Sequence, residues 1–263
     1  NKYLFIILTL NLITRFIVIF IYGDGSFSSV DANEWGVIYD NLKNFGTMSW
    51  FEHEGFKYPT FFMPPLYVFY IYLLSILDTG FDIFIILLSQ YLMAILSSYI
   101  FFKICRIFLN QNFSLIALTI FSFYPIFLFA SSQISSINLV IFLNLLFIYS
   151  VLNFKSFYFI GIVAGLGLLV RGEFILLYLL SLIYLFILKK YDLKKIIYTL
   201  IISLLIISPY LYRNYVVFNK IVITNSTGYV LWRGNNSIST VDSIYADRVI
   251  QEMELNNKKK KKK

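Results

Sequence analysis

Two acidic residues lie close together in a polar, aromatic stretch near the start of the chain. Asp31 and Glu34 are three residues apart, in a segment where Trp35, Ile38 and Leu42 recur at helical spacing. The spacing predicts a short helix with one apolar face and with Asp31 at its start. Two interpretations stay open. The carboxylates cap the helix and suit its dipole, or one of them is a general base that takes a proton from an acceptor hydroxyl or amine.

Basic residues at the ends of apolar segments form a second group of candidates. Arg171 and Glu173 separate two apolar runs, and Arg213 follows the last one. A guanidinium presents a planar pair of donors that fits a phosphate and stays charged at any depth. The alternatives are a local ion pair between Arg171 and Glu173, and an ordinary interfacial anchor at Arg213. Lys57 is a weaker phosphate candidate.

The adjacent residues Glu52, His53 and Glu54 contain every side-chain type that a zinc site needs except cysteine. Three consecutive residues point in different directions, however, so they lack the spacing of a ligand set. His53 is the only histidine and Cys105 the only cysteine. The sequence therefore predicts no metal site and no cofactor, although it leaves a divalent metal open.

The elements that must position these residues are apolar segments separated by short charged groups. Hydrophobic residues make up 59% of the chain, charged residues 14%, and the mean hydropathy is +0.75. This composition predicts a helical membrane protein, because a β-barrel would alternate polar and apolar residues. With about 20 apolar residues per span, the pattern predicts seven or eight helices. The segments lie near residues 3–22, 64–78, 83–102, 113–130, 134–152, 157–170, 174–188 and 196–212. Gly161 and Gly165, four residues apart, form a small-xxx-small face that predicts close helix packing.

Lysine-rich loops give the orientation, because positive charge is retained on the cytoplasmic side. The lysines in 189–195 and Lys2 predict that the loop 23–63, Arg171 and Arg213 lie on the outer face. Eight full spans from a cytoplasmic N-terminus would return the chain to the cytoplasm at Arg213. One segment must therefore fail to cross, and the two shortest, 64–78 and 157–170, are the candidates.

We accordingly predict an all-α fold, a polytopic transmembrane bundle with a juxtamembrane helix loop on its outer face. Its parts are a first transmembrane helix (1–22), an outer loop with juxtamembrane helices (23–63), a helix bundle (64–212) and an outer segment with a lysine-rich tail (213–263). The net charge of +8 depends on the terminal lysines 258–263, so it does not indicate nucleic-acid binding. A start without methionine and an end in six lysines indicate a fragment.

Several motifs follow one another along most of the chain in an order typical of one enzyme class. They are Asp31-x-x-Glu34, Pro64-Pro65-Leu66-Tyr67, Gly165-Leu166-Gly167-Leu168-Leu169-Val170-Arg171-Gly172-Glu173, and Pro209-x-x-x-Arg213-Asn214-Tyr215 running into Gly234-Asn235-Asn236. In this order they resemble the polytopic glycosyltransferases of the C superfamily. The most similar group is the family-39-like enzymes, which include protein mannosyltransferases and aminoarabinose transferases.

The resemblance implies transfer of a sugar from a polyprenyl-phosphate donor to a lipid, glycan or protein acceptor on the outer face. It implies that Asp31 is the catalytic base, with Glu34 its neighbour. Arg171 and Arg213, and more weakly Lys57, would bind the donor phosphate. The protein would be a multi-pass enzyme of a cell membrane, expected to be a bacterial inner membrane, surrounded by membrane lipids.

The chain also departs from that pattern at particular positions. Trp35 stands where such enzymes often have tyrosine, and Gly172 where proline is usual. The stretch 131–138 lacks the acidic residue expected after Pro125, and the later helices of the family are absent from the sequence. Two other classes stay open: a transporter, flippase or polysaccharide polymerase, and a non-catalytic scaffold or inactive fragment. Charges clustered at one face and the lack of an internal repeat argue against a transporter.

Overall fold

The computed structural model describes residues 2–26, 30–53, 56–76, 82–226, 228, 231–232 and 235. Within this part of the chain, ten helices and one antiparallel hairpin follow one another. The helices are α1 (Lys2–Ser26), α2 (Val30–Phe45), α3 (Leu66–Ser75), α4 (Asp82–Phe108), α5 (Gln111–Ser122), α6 (Pro125–Ser131), α7 (Ile137–Leu152), α8 (Phe157–Val170), α9 (Phe174–Ile187) and α10 (Leu193–Phe218), and the strands are β1 (Ser49–His53) and β2 (Phe56–Pro59).

The chain divides into two compact units, residues 1–223 and 224–263. The first unit contains every helix and strand named above. In the second, the side chains of Thr224 and Ser226 form a hydrogen bond of 2.9 Å. The all-α expectation is confirmed, with one correction. Within the described residues of the loop 23–63, helix α2 is followed by a β-hairpin, where juxtamembrane helices were expected.

Several helix ends differ from the predicted bounds. α1 continues to Ser26, α4 to Phe108 and α10 to Phe218, so Arg213 lies inside a helix and not after it. Apolar content alone marks where a helix crosses lipid, whereas the backbone hydrogen bonds continue into the polar interface. The segment 113–130 is not one helix, because α5 and α6 meet at a bend of 53°. Pro125 begins α6, where its missing N–H costs no helical hydrogen bond.

In the part of the chain that the structure describes, three helices are long and apolar enough to cross a membrane, within α1, α4 and α10. The bent pair α5–α6 makes a fourth if it counts as one span. Four shorter apolar helices, α3, α7, α8 and α9, accompany them. The protein is therefore a multi-pass membrane protein.

α8 and α10 form a close parallel pair, and small residues of α8 make this possible. A Cβ at Gly161 would lie 2.9 Å from the backbone oxygen of Thr199, and one at Gly165 would lie 2.6 Å from Cβ of Ile206. A step of four residues along α8 thus matches a step of about four along α10. The predicted close helix packing through these glycines is confirmed. Because the helices run in parallel, their C-terminal ends lie at the same end of the bundle.

The opposite end collects the basic loops. Lys190 lies over the ring of Phe154, with 4.7 Å between Nζ and the ring centroid. The hydroxyl of Tyr191 donates to the backbone oxygen of Lys155 at 2.5 Å, and burial raises the pKa of Tyr191 to about 12. The α7–α8 turn and the α9–α10 turn therefore meet, and their lysines share one end of the bundle, as the orientation argument expects.

The packing of α3 favours 64–78, and not 157–170, as the segment that does not cross. Tyr67 bonds Gln90, and Tyr70 bonds Ser89, so α3 runs antiparallel to the first third of α4. Its ten residues span about 15 Å, half of the hydrocarbon thickness. α3 therefore returns to the end where α4 begins, whereas residues 157–170 form a full partner of α10. α8 and α10 run in parallel away from the end that holds the lysine loop, so Arg213 lies at the opposite end of the bundle.

Candidate functional site

Arg213 is held by the last two turns of α10. Its Nη1 donates to the backbone oxygen of Thr60 at 2.9 Å and to Oδ1 of Asn214 at 2.8 Å. The guanidinium also lies over the rings of Tyr210 and Phe218, at 5.6 and 5.1 Å from the centroids. These contacts fix its position. Within the described residues, no hydrogen bond involves the edge formed by Nε and Nη2 of Arg213. That edge can bind an oxyanion through two parallel hydrogen bonds.

Local sequence explains why α10 ends in this arrangement. Pro209 lies inside the helix and cannot donate to the carbonyl of Leu205, but the hydroxyl of Ser208 donates to it at 3.0 Å. Asn219 ends the helix in the left-handed conformation, with φ of 54°. Fully buried Asn214 then donates to the backbone oxygen of Val222 at 2.7 Å. The chain after α10 is thus tied back to the helix beside Arg213.

A cavity of about 590 Å³ opens beside Arg213. The end of α2, the residues around strand β2, and α3, α8 and α10 all contribute to its wall. Most of that wall is apolar, and it includes Leu42, Leu66, Phe69, Leu169, Ile206 and Val217. Arg213 is the charged residue among those that line it. A cavity with one cation and apolar walls suits an amphiphile with an anionic head group.

Arg171 has different surroundings. Its Nη1 lies 3.9 Å from Oε1 of Glu173, and the two side chains are 49% and 74% exposed. An ion pair this exposed contributes little to stability. The pair borders a separate cavity of about 340 Å³, formed by α7, α8 and the start of α9, with Asn144 as a further polar residue. The parallel register of α8 and α10 places Arg171 and Arg213 at the same end of the bundle, but in different cavities.

The helix that carries the acidic candidates reaches the Arg213 cavity. Trp35 and Ile38 are buried and Leu42 packs on the core, which confirms the predicted apolar face of α2. α2 ends at Gly46, whose φ of +68° lets its N–H donate to the backbone oxygen of Leu42 at 3.0 Å. Leu42 and Gly46 both line the cavity.

The remaining predicted residues can be placed only by their backbone. Asp31 and Glu34 belong to the first turns of α2, and Lys57 to β2, but their side chains lie outside the described part of the molecule. Of the adjacent acid–histidine trio, Glu52 and His53 belong to β1, and Glu54 lies outside the described residues. Among the residues that the structure describes, no group of three His, Cys, Asp or Glu side chains is suited to a metal ion.

Sequence reasoning missed Arg15, which is buried inside α1. Its Nε donates to Oδ1 of Asn11 at 2.9 Å, and Nη1 donates to the backbone oxygen of Phe127 at 3.0 Å and to the hydroxyl of Ser131. No carboxylate in the described ranges pairs with it. The signal was available, because an ionisable residue within an apolar segment indicates a functional or structural role.

Comparison with known proteins gives one match. A family model described as dolichyl-phosphate-mannose-protein mannosyltransferase matches residues 63–212, which cover α3 to most of α10. No curated protein and no solved structure matches the chain. The matched region contains Arg171 and ends immediately before Arg213.

Proposed function

The chain belongs to the dolichyl-phosphate-mannose-protein mannosyltransferase family, and from this premise we propose that it transfers a sugar from a polyprenyl-phosphate donor to an acceptor on the outer face of the membrane. The family identifies a membrane glycosyltransferase of the C type. The identity of the donor, the side of the reaction and the catalytic base are our proposal. A bacterial inner membrane, with the acceptor in the periplasm, fits this arrangement.

The observation that carries the proposal is the Arg213 cavity. A lipid-linked donor has a phosphate next to a long apolar chain, and this cavity offers a guanidinium edge beside apolar walls. The hydrogen bonds from Nη1 to Thr60 and Asn214 fix the guanidinium before any ligand arrives. Pre-organised charge of this kind is most effective where negative charge develops in the transition state.

The proposed reaction is a single displacement. The acceptor hydroxyl, or an acceptor amine, gives its proton to Asp31 as its oxygen or nitrogen forms a bond to the anomeric carbon. The bond between that carbon and the phosphate oxygen breaks, and the electron pair leaves with the polyprenyl phosphate. Arg213 neutralises the charge on the departing phosphate. Attack opposite the leaving group inverts the anomeric configuration.

Arg171, Glu34 and Lys57 have secondary parts in this proposal. Arg171 lies at the same end of the bundle as Arg213 but borders a separate cavity, so it offers a phosphate contact at a second location. Glu34 accompanies Asp31 on α2, one turn along the helix. Lys57 on β2 is a further phosphate candidate, close in sequence to Thr60, which accepts from Arg213.

Arg213→Lys tests the proposal directly. Lysine keeps the charge but loses the bidentate edge, so we expect the apparent donor KM to rise by about tenfold or more with a smaller change in kcat. Arg106→Lys is the matched control, because Arg106 bonds the backbone oxygen of Leu109 and lines neither cavity. Initial rates would be measured with a polyprenyl-phosphate sugar over a range of concentrations. An unchanged donor KM in Arg213→Lys would show that the donor phosphate does not bind in this cavity.

A further inference from the structure

A hydrogen-bonded network of buried polar side chains lies in the bundle interior beside the proposed site. It joins α1, α3, α4, the end of α6 and the loop 132–136 that connects α6 to α7. Buried hydrogen-bonding groups inside a membrane protein are costly unless they are paired. A network in which they are paired therefore fixes closely the relative positions of the helices that carry them. Neither the proposed reaction nor the family match assigns a role to this hydrogen-bonded network.

Gln90 is the central residue of this network. It is 1% exposed and lies in the apolar helix α4. Its Nε2 donates to the backbone oxygen of Gln133 at 2.8 Å and, more weakly, to that of Ser131 at 3.4 Å. Its Oε1 accepts from the hydroxyl of Tyr67 at 2.8 Å. Both ends of one amide are therefore used, one on the α6–α7 loop and the other on α3.

Tyr67 passes this constraint to α2. Its ring packs edge-to-face against Trp35, with centroids 5.1 Å apart, and both residues are buried. Trp35 lies in α2, one helical turn after Asp31. Aromatic pairs of this geometry contribute about 0.5–1.5 kcal/mol beyond area burial. The position of the turn that carries the proposed base therefore depends on where Tyr67 is held.

The helix α6, which leads into this loop, is itself held by α1. Arg15 donates to the hydroxyl of Ser131 and to the backbone oxygen of Phe127, and Asn11 connects Arg15 to Ser98 of α4 through a bond of 3.0 Å. The loop can therefore act as a fixed support for Gln90.

We infer that Gln90 is a positioning residue that sets the placement of α2, through Tyr67 and Trp35, relative to the Arg213 cavity. This inference rests on the proposed function, in which α2 carries the base. It assigns a role to the Pro64-Pro65-Leu66-Tyr67 motif, because Tyr67, the last residue of the motif, contacts Trp35. It also gives the polar stretch after α6 a task that requires no acidic residue.

The test uses the full chain with Gln90→Met, which keeps side-chain length but cannot form these hydrogen bonds, and with Tyr67→Phe, which removes only the hydroxyl. Tyr70→Phe is the matched control. It deletes a tyrosine hydrogen bond between the same two helices, but its partner Ser89 bonds back to Ile86 of its own helix. The measurements are kcat, donor KM, the acid limb of the kcat–pH profile, thermal unfolding, and amide hydrogen exchange across α2.

We expect Gln90→Met and Tyr67→Phe to lower kcat by about tenfold or more, because small misplacements of reacting groups carry costs of this size. Donor KM should stay within about twofold, the acid limb should move, and exchange in α2 should rise. Tyr70→Phe should leave kcat and α2 exchange near those of the unaltered protein. If Gln90→Met does not fold, Tyr67→Phe carries the test by itself.

Unchanged kcat and unchanged α2 exchange in both variants would overturn the inference. So would a kcat loss equal to that of Tyr70→Phe at equal thermal stability. An Asp31→Asn variant separates this failure from that of the proposed function. If Asp31→Asn is inactive while Gln90→Met is normal, only this inference falls. If Asp31→Asn turns over normally, the proposed base is wrong, and this inference fails with it.

Discussion

At the residue scale, the two candidate arginines differ in what surrounds them. Arg213 is half-buried, anchored through Nη1 and flanked by two rings. Its Nε and Nη2 edge can therefore bind a ligand. Arg171 is half-exposed beside a more exposed carboxylate. A phosphate gains most from a donor that is already fixed, since less side-chain entropy is lost on binding. Arg213 is therefore the better candidate for the donor phosphate.

Asp31 gives the prediction that belongs at this scale. Asparagine is nearly as good as aspartate at a helix start, whereas only the carboxylate can accept a proton. Asp31→Asn should therefore keep expression and thermal stability while turnover falls by about 10²-fold or more. The assay is sugar transfer from a polyprenyl-phosphate donor by the purified protein. Asp40→Asn, further along α2, serves as the control, and normal turnover in Asp31→Asn would end the general-base hypothesis.

At the element scale, the parallel pair α8–α10 forms much of the wall of the Arg213 cavity. Leu169 comes from one helix and Ile206 from the other, and both line it. The distance between these helices is set by glycines at which no side chain fits. The same packing that stabilises the pair therefore also determines the shape of the proposed donor site.

Gly165→Ala should disrupt this packing. The added Cβ would lie 2.6 Å from Cβ of Ile206 and 2.9 Å from its Cγ2, atoms close to the backbone that cannot move aside. Overpacking of this kind costs about 1–3 kcal/mol, and we expect a lower unfolding temperature in detergent together with a raised donor KM. Gly172→Ala is the control, because a Cβ there meets nothing within 4 Å. Equal unfolding temperatures for the two variants would contradict the packing argument.

At the scale of the whole molecule, charge and chain direction agree. The basic α7–α8 and α9–α10 turns contact each other at one end, and the ends of α8 and α10 with their arginines lie at the other. Cytoplasmic retention of positive charge then assigns the lysine-rich end to the cytoplasm. We therefore propose that the Arg213 cavity faces the outer side.

Cysteine labelling tests this orientation. Cys105 is the single native cysteine, so a Cys105→Ser background gives an unlabelled reference. In intact cells, a membrane-impermeant maleimide should label Gly172→Cys and Lys220→Cys. It should label Asn153→Cys and Lys190→Cys only after the membrane is opened. Labelling of Asn153→Cys and Lys190→Cys, but not of the other two variants, in intact cells would show that the orientation is wrong.

The sequence by itself determined the class of fold, the apolar face of α2, the close packing through Gly161 and Gly165, and the family. These depend on local periodicity and composition, which a single chain displays directly. It missed the break between α5 and α6 as well as the β-hairpin. It also missed the buried hydrogen bonds of Arg15 and Gln90. Only the tertiary structure decided these points, because they depend on contacts between residues as far apart as Arg15 and Ser131, or Thr60 and Arg213. Hydrogen bonds between distant residues, and the antiparallel register of α3 on α4, leave no periodic trace in the sequence.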